Sequence, residues 1–242
     1  MTISYNIDFL DRYLAPGISV FTTCDAPDIS EQHLEAPHWL ANHFLNSVVR
    51  GAYKNKFRQY AANQIYRAQV VFADYHDAMC LTAEYLRSGR PDNPAIRAYF
   101  RALARWESCL RNLQLFIDVM NKMKKDLGDE PVFKKNDGTP EQRAYCIANT
   151  VKHFGLDISG ERHAKEDTVP MWLTNSGFKT RSHELTYHEM ARLVSGVANA
   201  GVSYRIPYHS RSQMRNPSVN PDAFGTPVMS SVRRERKERD EQ

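Results

Sequence analysis

The chain has 242 residues, of which 42% are hydrophobic and 25% are charged, and its formal net charge is +4 at neutral pH. This is ordinary globular composition with enough apolar residues for a core. It excludes a membrane-spanning protein, because no run approaches the roughly eighteen apolar residues that a span requires. The mild positive charge permits a polyanionic partner such as RNA without requiring one. The first ten residues include acidic Asp8 where a signal peptide carries basic residues, so we expect a cytoplasmic protein.

Motifs for metals, cofactors and nucleophiles are absent from the sequence. Two histidine pairs, His38/His43 and His183/His188, are each spaced five apart, which turns the two rings away from a common helix face. There is no H-E-x-x-H, no Gly-rich phosphate loop and no G-x-S-x-G, so we expect no metal and no cofactor. The cysteines are scattered and are expected to be reduced core thiols. They are Cys24, Cys80, Cys109 and Cys146.

Composition divides the chain into three parts. Residues 1–37 contain a short helix near Asn6 to Leu14, ended by Pro16-Gly17, and then an irregular arm that either packs along the domain or reaches a partner. Residues 38–201 are expected to form the helical domain. Residues 202–242 are rich in Pro, Ser, Asn and Arg, which is typical of a tail without its own core.

The central feature is a predicted pair of long helices. Apolar residues recur at spacings of three and four from about residue 38 to residue 87, with Gly51 as a candidate break. The segment R-S-G-R-P-D-N-P then predicts a turn, with Asp92 or Asn93 capping a second helix that begins at Pro94 and ends near Leu127. Together they predict an antiparallel hairpin over residues 52–127 and an all-α bundle, with the aromatic residues of both stripes in the core.

The second half of the chain contains two predicted helix starts. Thr139, Pro140 and Gln142 form a capping box for a helix that we expect to end at Gly155. Residues 156–185 are expected to be irregular, apart from a strand at 169–174 that folds over the hairpin and a turn at 175–177. A second capping box, T-Y-H-E at residues 186–189, predicts a helix that reaches Ala200 and ends at Gly201.

The helix that begins at Thr139 carries a compact polar set. Asn149 and His153 are four residues apart and share a face, with Lys152 beside it. Histidine can move a proton near neutral pH and an adjacent cation can hold a phosphate, and metal-free RNA cleavage by the 2′-hydroxyl needs these functions. The alternative to this functional role is a structural one. His153 and Lys152 would then lie at a helix C-terminus, where the helix dipole favours positively charged side chains.

A long helical hairpin followed by a helix with N-x-x-K-H resembles the HEPN superfamily of helical, often dimeric, nucleotide- and RNA-binding domains. The family signature is an arginine, very often followed by asparagine, with a histidine a few residues later. The resemblance covers residues 94–154 and implies His153 as acid/base, Lys152 as phosphate contact and Asn149 as positioning residue. Ala148 stands where the family has arginine. Arg143 lies a turn and a half before Ala148 and is expected to point away from His153.

The resemblance therefore implies a weakened or non-catalytic member as readily as an active metal-independent ribonuclease. It also implies a homodimer and a bacterial defence or toxin–antitoxin context. A further set, Arg97, Arg101 and Arg105, recurs every four residues and could follow a phosphate backbone. It could equally be a solvated face, or pair with Glu107 and nearby carboxylates.

Two functional hypotheses remain open at the level of sequence. In the first, the chain acts on or binds RNA, which requires His153 and Lys152 to be accessible in an open cleft. In the second, it is a non-enzymatic subunit of a larger assembly that uses its N-terminal arm and C-terminal tail, and His153 is buried or caps the helix end near Gly155.

Overall fold

A computed structural model describes residues 7–43, 55–88, 95–160 and 168–203. The candidate break at Gly51, the turn that includes Asp92 to Pro94, and the tail beyond residue 203 lie outside these ranges. Within the described part, no helix is both long enough and apolar enough to cross a membrane.

The chain forms an all-α bundle with one small sheet, as the sequence predicted. The antiparallel sheet has the strand order β1-β2-β3. Two short 3-10 turns, Ser30–His33 and Ala36–His38, precede a helical stretch at residues 39–43. The helices are α1 (Ile7–Tyr13), α2 (Asn55–Ser88), α3 (Ile96–Leu127), α4 (Pro140–Ser159) and α5 (Tyr187–Ser203), and the strands are β1 (Trp172–Leu173), β2 (Gly177–Lys179) and β3 (Glu184–Thr186).

Helices α2 and α3 form the predicted hairpin, and their apolar stripes face the core. Trp106 is fully buried and its indole N–H donates to the Thr82 hydroxyl at 2.9 Å, which satisfies the polar end of the ring. The Tyr99 hydroxyl accepts a hydrogen bond from the Leu173 amide at 3.1 Å. The buried stripe of α3 comprises Tyr99, Leu103, Trp106, Leu110, Leu113, Ile117 and Met120. The predicted core role of its aromatic residues is confirmed.

A buried carboxylate fixes the register of the hairpin. Asp74 of α2 is 4% exposed and accepts hydrogen bonds from Arg105 at 2.9 Å, Ser108 at 2.8 Å and Asn112 at 2.8 Å, all on α3. A buried charge is tolerated when it is paired and hydrogen-bonded in this way. Any slip of one helix along the other would leave this carboxylate without its partners.

The N-terminal segment packs against the bundle. The Tyr75 hydroxyl donates to the carbonyl of Pro27 at 2.7 Å, and the side-chain oxygen of Asn175 accepts from the amides of Thr22 and Thr23 at 2.9 and 3.1 Å. Its buried residues belong to the same core as the hairpin; they include Leu10, Ala15, Ile18, Phe21, Ile29 and Trp39. Of the two roles expected for this arm, the structure shows packing along the domain.

Two helix ends were predicted wrongly, both at glycines. Helix α4 continues through Gly155 to Ser159, and α5 continues through Gly201 to Ser203. Glycine ends a helix by adopting positive φ, as Gly128 does after α3 with φ 76°. Gly155 and Gly201 are not among the glycines with positive φ. At Gly201 a Cβ would lie 2.9 Å from the Cβ of Ala68, so this glycine permits close packing of α5 on α2.

The segment predicted to be irregular is partly ordered into the last turn of α4 and three strands. The predicted strand at 169–174 contains β1, and the Thr174 amide donates to the Gly177 carbonyl at 2.9 Å across the predicted turn. Strands β2 and β3 have three residues each, too few to show a periodic pattern. The side chains of Met171 and Leu173 are fully buried, so this segment covers the core as predicted.

The cysteine prediction is correct in part. All four thiols are free, and Cys109 is buried in the core. Cys80 is exposed, so the expectation of a core thiol is wrong for this residue. It lies on the outer side of α2, where the apolar stripe does not reach.

Candidate functional site

Helix α4 carries the candidate site, and its start is well capped. The Gln142 amide donates to the Thr139 hydroxyl at 3.3 Å, and the Gln142 side chain accepts from the Gly138 amide at 2.7 Å. The buried face of the helix includes Ala144, Ile147 and Ala148. Lys152 and His153 lie on a different face from the one that packs into the core, and Asn149 lies at the edge that meets α3.

Asn149 is held by the neighbouring helix. Its side-chain oxygen accepts a 2.6 Å hydrogen bond from the amide of Gln114 on α3. One turn earlier, the Tyr145 hydroxyl donates to Asp118 of α3 at 2.8 Å. These two contacts set an antiparallel register between α3 and α4. Asn149 therefore holds α4 against α3, and the positioning role in an RNA site that the resemblance implies stays a prediction.

Lys152 and His153 are both exposed. His153 lies six residues before the end of α4 at Ser159, beyond the last turn to which the helix dipole effect is confined. The interpretation of His153 as a capping residue at a helix C-terminus is therefore wrong, because the helix does not end at Gly155. The exposed imidazole and ammonium groups can contact a phosphate, and the imidazole can also transfer a proton.

Neither Ala148 nor Arg143 is placed to supply the arginine of the HEPN signature. Ala148 is fully buried among core residues. The Arg143 guanidinium forms a two-pronged ion pair with Glu189 at 2.6 and 3.2 Å and donates to the carbonyls of Glu184 at 2.7 Å and Gly138 at 3.2 Å. These contacts join the start of α4 to the junction of β3 and α5, so Arg143 has a structural role.

The predicted arginine stripe is largely paired with α2. Arg101 contacts Glu84 at 2.9 Å. Arg105 contacts Asp74 at 2.9 Å and Asp77 at 3.5 Å. Arg101 and Arg105 therefore pair with nearby carboxylates, and these carboxylates belong to α2. Arg97 is exposed near the start of α3.

Gln114 was missed by the sequence analysis, although a signal for it exists. It is 6% exposed and occupies a position in the apolar stripe of α3, between Leu113 and Leu115. A buried amide requires a partner, and an amide on α4 supplies one. A polar residue within an apolar stripe is therefore a sign of a contact between helices.

A separate cavity of about 410 Å³ lies between the N-terminal segment and the sheet. The side chain of Asn175 in its wall is bound to backbone atoms of the N-terminal segment. Lys179 in the same wall pairs with Glu184 at 3.6 Å. The predicted site residues do not line this cavity.

Among the residues that the structure describes, no group of three or more His, Cys, Asp or Glu side chains could hold a metal ion. Compared with protein-family models, curated proteins and solved structures, the chain shows no significant match to any of them.

Proposed function

We propose that this chain is a HEPN-like helical protein that binds RNA through the surface around Lys152 and His153. The observation that carries the proposal is the exposure of both side chains in the interior of α4, on a helix that the Gln114–Asn149 contact holds in place. An exposed lysine is free to contact backbone phosphates, which supply most of the binding free energy in such complexes.

Cleavage is expected to be weak or absent. A transition state with extra negative charge needs a cation held close to it. Ala148 cannot supply that charge, and Arg143 is bound to Glu189. His153 can still move a proton, so residual cleavage without metal would depend on this residue.

The test is RNA binding and cleavage without added metal, at low and moderate salt, for the wild type and for Lys152→Gln and His153→Ala. We expect Lys152→Gln to weaken binding by about tenfold at low salt, as for the loss of one phosphate contact. Lys134→Gln is the matched control, because Lys134 is an exposed lysine in the loop after α3. The proposal would be overturned if Lys152→Gln bound RNA as tightly as Lys134→Gln does, or if the wild type bound no RNA.

A second candidate is a non-enzymatic subunit of a larger assembly. Leu156 is 69% exposed and Ile158 is 53% exposed in the last turns of α4, and exposed apolar groups of this kind mark protein contacts. Sedimentation of the wild type and of Leu156→Ser tests this candidate. Self-association that the substitution abolishes would favour it, and a monomer that binds RNA would exclude it.

A further inference from the structure

Tyr66 and Arg67 form an aromatic and cationic pair on α2, in which the ring is exposed and the guanidinium is half-buried. The Tyr66 ring is 43% exposed, and the guanidinium carbon of Arg67 lies 5.2 Å from the ring centroid. The core of the hairpin does not require this ring. Exposed aromatic rings next to cations are the groups on which unpaired bases stack while the cation holds the adjacent phosphate.

Contacts along α3 connect this pair with the site on α4. The Arg67 guanidinium donates to the side-chain oxygen of Asn112 at 2.9 Å. Gln114, two residues further along α3, donates to Asn149. Two residues span only about 3 Å of helix. Asn112 and Gln114 lie about 200° apart around α3, so the Tyr66–Arg67 pair and the α4 site flank α3 at one level of the bundle. The exposed face of α3 between them, which includes Arg111 and Leu115, forms a bridge.

Arg111 lies on this bridge. It precedes Gln114 by three residues on α3, and Lys152 follows Asn149 by three residues on α4, so the antiparallel register places the two cations at the same level. Arg111 is exposed. Burial raises the pKa of the neighbouring Glu107 carboxyl, while the charge of Arg111 acts to lower it.

Charge along the bridge favours a polyanion. The buried carboxylate of Asp74 is compensated by Arg105, so it does not offset the exposed cations. Asp118 accepts a hydrogen bond from Tyr145 and is half-buried. Arg67, Arg111 and Lys152 bring three positive charges to this face, against the two half-buried carboxylates of Glu107 and Asp118.

We propose that Tyr66 and Arg67 form a base-stacking subsite for single-stranded RNA, with Arg111 as the phosphate contact that leads the strand to Lys152 and His153. This inference rests on the proposed RNA binding and adds a location and a substrate class to it. Stacking requires an unpaired base, so the subsite distinguishes a single strand from a duplex.

The experiment measures binding of the full chain to a short single-stranded RNA and to the corresponding duplex. We expect Tyr66→Ala to weaken single-strand binding by about tenfold, since stacking on one aromatic ring contributes on this scale. Tyr66→Phe keeps the ring and is expected to bind as the wild type does. Duplex binding is expected to be the same for all three proteins.

Tyr13→Ala is a matched control for an exposed tyrosine. Its ring is 39% exposed and lies 5.2 Å from the Arg12 guanidinium carbon, but it belongs to α1. Arg111→Gln is expected to lower the slope of log affinity against log salt by about 0.7, as for one phosphate contact on a single strand. Thermal unfolding of each variant checks that the fold is retained.

The outcomes separate the two proposals. If Lys152→Gln weakens binding and Tyr66→Ala does not, the subsite is wrong and RNA binding stands. If the wild type binds no RNA, both proposals fail. An equal effect of Tyr66→Ala on single strand and duplex would also overturn the stacking role, because a paired base does not reach the ring.

Discussion

The side-chain amide of Gln114 donates a 2.6 Å hydrogen bond to the side-chain oxygen of Asn149, and this contact joins α3 to α4 beside the candidate site. Gln114 is buried and Asn149 is half-buried, so the bond is partly shielded from water. The bond holds α4 against α3, whereas the side chains of Lys152 and His153 are exposed and are the groups to which the proposal assigns RNA contact.

Removal of this hydrogen bond is expected to lower stability. We expect Gln114→Ala and Asn149→Ala each to lower the free energy of unfolding by about 1–2 kcal/mol, with a coupling near 1 kcal/mol in the double variant. Urea unfolding of the four proteins measures this. Lys152→Gln is the control, since an exposed lysine contributes to binding and little to stability. Additive effects would show that the two amides do not depend on each other.

Introduction of the arginine of the HEPN signature at residue 148 is expected to disrupt the fold. Ala148 is fully buried, so Ala148→Arg would force a long charged side chain into the core and cost at least about 3 kcal/mol. Ala73→Arg is the control, because Ala73 is exposed on α2. Thermal unfolding and a cleavage assay measure the result. A stable Ala148→Arg protein that cleaves RNA would contradict this account of the missing arginine.

The Arg143–Glu189 pair is expected to stabilise the junction of α4 with β3 and α5. Both side chains are mostly shielded, with 28% and 17% exposure. We expect Arg143→Ala to lower the free energy of unfolding by about 2–3 kcal/mol, because it leaves the carboxylate without its charged donor. The control is Lys179→Ala, whose pair with Glu184 is about half exposed and contributes less than about 1 kcal/mol.

The same pair predicts a pH dependence. Burial acts to raise the pKa of the Glu189 carboxyl, but its hydrogen bonds with Arg143 and Thr186 outweigh this effect and lower the pKa overall. The stabilisation is therefore complete above the unfolded-state pKa of about 4.3 and is lost as pH falls through the lower folded-state value. The free energies of unfolding of the wild type and of Glu189→Gln, measured across this pH range, should converge in acid. A constant difference would exclude the linkage.

The two helix glycines give opposite predictions. At Gly155 an added Cβ meets nothing within 4 Å, so Gly155→Ala should stabilise α4 by about 0.5–1 kcal/mol. At Gly201 the Cβ would crowd Ala68, so Gly201→Ala should destabilise the fold by about 1–3 kcal/mol. Melting temperatures of the two variants should move in opposite directions. The same sign for both would refute the packing argument.

The fold was largely predictable because its signals are local and repeated. The stripe of α3 repeats over many turns, and the capping boxes at Thr139 and Thr186 mark two helix starts. The ends at Gly155 and Gly201 were not predictable from composition. Whether a glycine ends a helix depends on its φ angle and on its neighbours in space, and Ala68, the neighbour of Gly201, is distant in sequence.

The candidate site was predictable only in part. The positions of Asn149, Lys152 and His153 on one helix follow from spacing. The exposure of Lys152 and His153 does not follow from spacing, since it depends on where α4 ends and on which of its faces meets α3. The pairing of Arg101 with Glu84 likewise depends on the register of the hairpin, which the buried Asp74 sets.

The N-terminal segment has a consequence for biosynthesis. Thr22 and Asn175 are 153 residues apart in sequence, yet their contact closes the fold. During synthesis this segment leaves the ribosome before α2, α3 and the turn that carries Asn175. Phe21 packs against Tyr85 and Tyr99, with ring centroids 5.5 and 6.3 Å apart, so it stays without its native cover until α2 and α3 have been made. Chaperones that hold exposed apolar segments are expected to act on this part of the nascent chain during that interval.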